Sequence, residues 1–338
     1  MSQRDDSRPW VAKADVMTAH EFVDLLSPVS GIFGSERGLP HKLLFRGVGD
    51  VFHSLIPAAF RASAKLFLPP HDAVGPGQTN RQQIERELKT LVAFIKAADR
   101  QGHAIPEDTQ QLRSELKSLE EDLSFFGRSM IREWPPSSLL SALALAQHYG
   151  VPTRLLDWSL DPYVATYFAA VNAATKSNEP GELAIWAVAT NLFAVNEIVV
   201  GDKAAVAKLP VQHVSTPWAG NANAKAQRAV FLAYRQFDID PDAHFEIRSY
   251  DDLLVKSLWP GLEEGPNLYC LTLPKSEAPM LLRHLAFQGY DGATIFPGLE
   301  GAAKSIMESY LWPKDFGPDP RTPAAVQINL GWHSKESS

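Results

Sequence analysis

An arginine closes an apolar run in KLLFRGVGD, where Leu43, Leu44 and Phe45 lead into Arg46 and Gly47. A guanidinium at the end of a buried strand needs a carboxylate partner inside the fold or an anionic ligand outside it, because an unpaired buried charge is too costly. Asp50 and Asp157 are the internal rivals for that role. Gly47 would let backbone approach a ligand closely. A second concentration of polar and aromatic groups lies in AQHYGVPTRLLDWSLDPYVATYFAA, residues 146–170. Gln147, His148, Tyr149, Thr153, Arg154, Asp157, Trp158, Ser159 and Tyr167 surround one short apolar run there, a density that exceeds what packing requires. Each has a structural alternative. Arg154 and Asp157 can form a mutual or local ion pair, His148 can sit at a helix C-terminus ahead of Gly150, and Asp161 can cap a helix. The third place is TIFPGLEGAAKSIMES, where Glu300 follows a strand-like run at a glycine-flanked turn. It could project into a cleft, or favour the dipole of a first helical turn. The sequence has no HExxH, no glycine-rich phosphate loop and no GxSxG, so zinc hydrolysis, P-loop nucleotide binding and α/β-hydrolase chemistry lack their markers.

The elements that would position these groups can be read from periodicity and punctuation. TAHEFVDLL is a helix, with Thr18 and Glu21 in capping-box spacing, and KLLFRG is a strand. A Gly/Pro-containing loop, SPVSGIFGSERGLP, joins them, and residues 68–80 form a surface loop. Residues 81–131 read as two amphipathic helices around QGHAIPEDT, a helical hairpin inserted between the first two motifs. SSLLSALALAQHYG is helical with Gly150 at its C-terminal cap, TRLLDWS is a strand, and DPYVATYFAAVNAAT is a helix capped by Asp161 with Pro162 at its first position. GELAIWAVA, VNEIVV, HFEIRSY, NLYCLTL and YDGATIF read as strands, while KSEAPMLLRHLAFQG and GLEGAAKSIMESYLW read as helices. The class is therefore α+β. Residues 1–17 are expected to be an N-terminal tail, 18–312 the domain, and 313–338 a loosely packed C-terminal tail.

The composition narrows the function classes. The chain has 338 residues, 45% of them apolar, and a formal charge of −7 with no Lys/Arg-rich block. This argues against a dedicated nucleic-acid or membrane electrostatic footprint but leaves room for a locally basic pocket. Its one cysteine, Cys270 in LYCLTL, forms no intramolecular disulfide and supports no Cys-based metal site, so a buried inert thiol is expected. The first residues, MSQRDDSRPW, are polar with no apolar segment after them, and no run approaches the length of a membrane span. Cytoplasmic residence is the default expectation.

Taken together, FRGVGDVFHSLIPAAFR, AQHYGVPTRLLDWSLDPYVATYFAA and ATIFPGLEGAAKSI resemble the FRG family, named from its Phe-Arg-Gly element. The intervening NANAKAQRAVF, containing Gln227, is similar to that family's central element. A weaker resemblance, to ADP-ribosyltransferases of the Arg-Ser-Glu type, implies a reaction. In those enzymes an aromatic-Arg-Gly strand is followed by a strand ending in serine or threonine, then a helix, and a catalytic glutamate comes late in the chain. Phe45-Arg46-Gly47, Ser159 and Glu300 occur here in that order. The departures are Asp157-Trp158-Ser159 in place of a Ser-Thr-Ser triplet, and no Glu-x-Glu pair around position 300.

That resemblance implies a mixed, mainly antiparallel sheet core like the ADP-ribosyltransferase fold, and NAD as substrate with no metal. Arg46 would hold phosphate, and Gly47 would offer its backbone to the nicotinamide amide. Ser159 would orient the glutamate or the ribose. Glu300, with Arg46 the expected catalytic pair, would stabilise positive charge developing on the sugar. Trp158 or Tyr167 would stack on nicotinamide, Arg154 is a second phosphate candidate, and His148 and Gln227 are further pocket candidates. The expected activity is transfer of ADP-ribose to a macromolecular acceptor, a protein rather than a nucleic acid, by a bacterial toxin, an effector delivered to another cell, or an anti-phage factor. An NAD glycohydrolase, a non-catalytic nucleotide or phosphate recognition module, and a nuclease-type toxin are the alternatives, the last weakened by the missing acidic metal cluster. The helices at 81–131 are the expected surface for a protein partner.

Overall fold

The computed structural model describes residues 11–27, 43–53, 55–67, 73–124, 131–193, 197–200, 205–208, 210–215, 218, 221–257 and 268–314. In chain order the elements are β1 (Val11–Asp15), α1 (Ala19–Leu26), β2 (Leu43–Val48), β3 (Lys65–Leu66), β4 (Ala73–Val74), α2 (Asn80–Arg100) and α3 (Gln110–Ser124). There follow β5 (Glu133–Trp134), α4 (Leu140–His148), β6 (Leu155–Ser159), α5 (Pro162–Ala174), β7 (Glu182–Ala189), β8 (Glu197–Val200), β9 (Ala205–Lys208) and β10 (Val211–Val214). The chain continues through α6 (Ala222–Ala226), β11 (Ala229–Tyr234), β12 (Gln236–Phe237), α7 (Tyr250–Ser257), β13 (Leu268–Pro274), α8 (Ala278–Phe287), α9 (Gly292–Ile295) and α10 (Leu299–Ser309).

A seven-stranded sheet in the order β1-β13-β7-β2-β6-β11-β10 organises the molecule. Only β1 and β13 pair in parallel; the other neighbours are antiparallel. The α+β class with a mainly antiparallel sheet is therefore as the sequence predicts. Alternation along the strands sorts the side chains into cores. On one side Leu44, Leu156, Trp158, Trp186 and Leu232 share a single cluster with Phe60 and Tyr250. On the other side there are two clusters. Phe45, Ile185 and Leu271 pack under α1, α5 and α8, whereas Leu155, Phe231 and Ala233 pack under α2, α3 and α4. The boundary between them falls where β2 meets β6.

The helices follow their caps. Thr18 accepts from the Glu21 N–H at the start of α1, and Thr79 with Gln82 forms a full capping box on α2. Asp161 accepts from the Tyr163 and Val164 N–H groups, with Pro162 at the first position of α5. Gly150 closes α4 with φ +83°, as its place behind the helix predicts.

Four readings change. YDGATIF is not a strand, because Asp291 caps the Thr294 N–H and turns the chain into α9. HFEIRSY forms no strand either: only His244 bridges, to Thr79, while Phe245 and Tyr250 are buried as anchors. Val11–Asp15, placed by the sequence reading in a tail before the domain, forms the edge strand β1. Sequence periodicity also passes over β9, β10 and β11; in β11 every residue is buried, so no alternation betrays the strand. The 313–338 tail from residue 315 onward, most of the loop at 27–40, the 68–72 part of the second loop and the 125–130 end of the helical region lie outside the described residues.

Candidate functional site

Strands β2 and β6 pair at a single position, Phe45 opposite Ser159. Beyond it β2 continues along β7, and β6 along β11, so the sheet splits. Arg46 is the next residue of β2, and its guanidinium spans the opening by donating from Nη1 to the Asp157 carbonyl. Its nearest carboxylate is Asp157, at 3.9 Å from Nη1, and that side chain is 54% exposed. The Arg46 Nε is buried and has no hydrogen-bond partner among the described residues. Nor has the indole N–H of Trp158, a 3%-exposed residue on the same side of the sheet. Burial pulls the Arg46 pKa down, Asp157 offsets this in part, and the neighbouring Arg61 adds to it. Direct hydrogen bonding thus compensates the cation incompletely, and two buried donors on this side of the sheet are left without an acceptor among the described residues.

Around Asp157 the polar residues of the second motif assemble. Gln147 donates from Nε2 to Asp157 Oδ2 at 3.0 Å, and Thr153 donates from its hydroxyl to Gln147 Oε1 at 2.7 Å. The Leu155 N–H donates to Thr153 Oγ1 at 3.1 Å, tying the relay to the start of β6. His148 ends α4 beside Tyr149, within electrostatic reach of Asp157. Burial lowers its pKa, and the carboxylate works in the other direction. Asp157 and His148 of the second motif therefore lie in one neighbourhood with Arg46 of the first.

Ser159 belongs to a different node. Its hydroxyl donates to the Gln227 carbonyl at 2.8 Å and accepts from the Asp161 N–H at 2.9 Å. Gln227 lies just before β11, and its Nε2 reaches the Ile295 carbonyl at 3.4 Å. Ser159 and Gln227 come together, but in bonds that tie β6, α5 and α9 to one another. Glu300 is not at a strand end. It occupies the first turn of α10, 75% exposed, with Lys304 at 2.6 Å, and among the described residues no hydrogen bond or ion pair joins it to Arg46 or Ser159. The alternative reading of an acid in a first helical turn describes it.

Three further positions are structural. Arg154 is wholly buried and forks onto Glu87 of α2, Nε to Oε2 at 2.7 Å and Nη2 to Oε1 at 3.0 Å. Its Nη1 faces the Trp134 and Tyr234 carbonyls and Gln236 Oε1, so the guanidinium is closed in by protein acceptors and sealed from a phosphate. Gly47 serves helix packing: a Cβ there would fall 1.9 Å from the Ala165 carbonyl oxygen of α5. The close approach is by protein backbone, not by nicotinamide. Tyr167 is 2% exposed and donates its hydroxyl to Glu308, which also accepts from the Gly292 N–H. Its ring packs against Phe168 and Phe296 and is closed to stacking on a ligand. The Trp158 ring is buried in the same sense, and its N–H, also buried, has no hydrogen-bond partner among the described residues.

Sequence reasoning missed Arg61, although it ends the same stretch that begins at Lys42, and Glu87, whose place on the buried face of α2 beside Ile84, Leu88 and Leu91 was the available signal. Cys270 is buried in β13. Among the described residues no group of three His, Cys, Asp or Glu side chains could hold a metal, and no described helix is long and apolar enough to cross a membrane.

The FRG domain family model matches residues 41–178. That span begins just ahead of β2 and ends after α5, so it contains Arg46, the Asp157 relay, Ser159 and both helices of the 81–131 segment. Gln227 and Glu300 lie beyond it. No curated protein and no solved structure matches the chain.

Proposed function

From a chain whose residues 41–178 are an FRG domain, we propose a protein that binds the phosphates of a nucleotide in the crevice between β2 and β6. The observation that carries this reading is Arg46. Among the described residues its Nε has no partner and its nearest carboxylate is 3.9 Å away, and Arg61 stands close by with the same sign. Arg154 gives the contrast within the same molecule, a guanidinium closed by a two-point fork at 2.7 and 3.0 Å. Arginine prefers such a fork to a carboxylate or a phosphate, and Arg46 lacks one. NAD is the nucleotide that the resemblance to ADP-ribosyltransferases argues for.

Transfer of ADP-ribose to a protein acceptor is the second reading, and Asp157 favours it. Cleaving the nicotinamide glycosidic bond calls for negative charge held in advance beside the ribose. Glu300 is turned to Lys304 in solvent, whereas Asp157 is exposed at the crevice and held by Gln147. A role as toxin, effector or anti-phage factor belongs to this reading. Calorimetric titration of NAD into the intact chain tests the first. Arg46→Gln is expected to abolish binding, and a variant that binds as tightly as the wild type overturns it. Nicotinamide released by the wild type but not by Asp157→Asn supports the second reading; binding without any release removes it.

A further inference from the structure

A groove of about 780 Å³ opens between α2, α4 and α6. It lies on the face of the sheet opposite the Arg46 crevice: Phe231 of β11, in its lining, packs with Leu155 and Ala233, whereas Trp158 packs with Leu44 and Trp186. Three aromatic rings line it, those of Phe94 on α2, Tyr149 at the end of α4 and Phe231. The rest of the wall is mostly alanine, isoleucine, leucine and proline, with His103, His148 and Glu107 among them. Among the described residues no lysine or arginine lines the groove, Glu107 is the one carboxylate that does, and no ion pair holds it. Burial lowers the His148 pKa, so that imidazole favours its neutral form. Glu107 also sits at φ +56°, a conformation that glycine would take without strain, so a side chain is carried there at a conformational cost.

Such a lining suits one class of occupant. An aromatic face carries the negative part of the ring quadrupole and attracts a cation placed over it, the more so where water is excluded. A carboxylate beside the rings adds charge of the same sign, which draws a cation in and turns phosphates and carboxylates away. The volume falls within the range of small-molecule sites. We infer that the groove binds an organic cation, an ammonium carried on an apolar body, with its charge drawn to Glu107 and the aromatic rings and its body against the apolar wall. The groove asks for the opposite charge from the Arg46 crevice, so the two take different ligands and this inference does not depend on the phosphate reading. It also gives the 81–131 segment a part in binding, because α2 supplies Phe94 and the loop after α2 supplies Glu107.

The test titrates the full chain at neutral pH with 4-phenylbutylamine, 4-phenylbutanol and 4-phenylbutyrate, three probes with one apolar body and a cationic, neutral or anionic head. Wild type is expected to bind the amine about tenfold more tightly than the alcohol by calorimetry, and the butyrate most weakly. Glu107→Gln, at an exposed loop position, is expected to bring the amine toward the level of the alcohol and to leave the alcohol unchanged. Tyr149→Ala, at a residue 67% exposed whose loss the fold tolerates, is expected to weaken the amine more than the alcohol. Ala104→Trp, at an exposed residue of the lining, should block all three probes. An alcohol or butyrate that binds as tightly as the amine, a preference for the amine that survives both Glu107→Gln and Tyr149→Ala, or no binding of any probe overturns the inference. None of these results bears on the phosphate reading, which the NAD titration tests separately.

Discussion

Replacing Glu87 with alanine should loosen the attachment of α2 to β5 and to the start of β6. The Glu87 carboxylate is 2% exposed and accepts from Arg154 Nε and Nη2, from the Trp134 indole at 2.9 Å and from Gln83 Nε2 at 2.6 Å. Without it the wholly buried Arg154 retains only neutral acceptors, at 3.1–3.3 Å. Three aromatic rings lie 5.4–5.9 Å from its guanidinium carbon, which softens the loss but does not supply a counter-charge. Breaking a buried ion pair from one side costs about 3–5 kcal/mol. Against a total stability of about 5–15 kcal/mol that is a fifth or more. At about 2–4 °C per kcal/mol the melting temperature should fall on the order of 10 °C. Differential scanning calorimetry of Glu87→Ala, Arg154→Ala and the double variant measures it. The double variant should lose less than the sum of the two single losses, since it leaves no lone charge buried. A fall in Tm of under about 2 °C for Glu87→Ala would refute the reasoning, because the pair would then not be the buried support described.

Two further outcomes follow from the site. Gly47→Ala would set a Cβ 1.9 Å from the Ala165 carbonyl oxygen, a backbone atom that cannot swing aside. Urea unfolding should show a loss of about 1–3 kcal/mol or more from overpacking, and an unchanged midpoint would contradict the contact. The His148 imidazole, lowered by burial and pulled back by Asp157, should titrate in NMR below the ordinary value of about 6.5. Because the fold favours its neutral form, its contribution to stability is in place above about pH 6.5 and fades as pH falls. Asp157→Asn should lower its pKa further, and a pKa that stays or rises would show that the two groups do not interact.

The motif-bearing centre was legible in the sequence because its signals are local. Capping residues, Gly150, and the apolar runs around Arg46 and Asp157 each announce their element within a few residues. What was illegible depends on distant partners. Arg154 and Asp157 look alike as charges beside a strand, yet one is closed by Glu87, 67 residues earlier, and the other stands half exposed at the split in the sheet. The 81–131 helices looked like a separable insertion, but Glu87 on α2 makes them part of the core. The YDGATIF run has the β-branched and aromatic content of a strand, and the Asp291 cap overrides it. Glu300 was placed by order along the chain, which carries no information about which way a side chain faces. Ser159 was legible as a polar group at a strand end, but not its engagement with the Gln227 carbonyl.

The central claim is that Arg46 is held open for phosphate. A crystal structure of the complex with NAD tests it most directly, read at the crevice between β2 and β6. The account predicts phosphate oxygens accepting from Arg46 Nε and the Trp158 indole N–H, with Arg61 turned toward them. A ligand bound elsewhere, or an empty crevice in which Arg46 forks onto Asp157 with both bonds made, would contradict it.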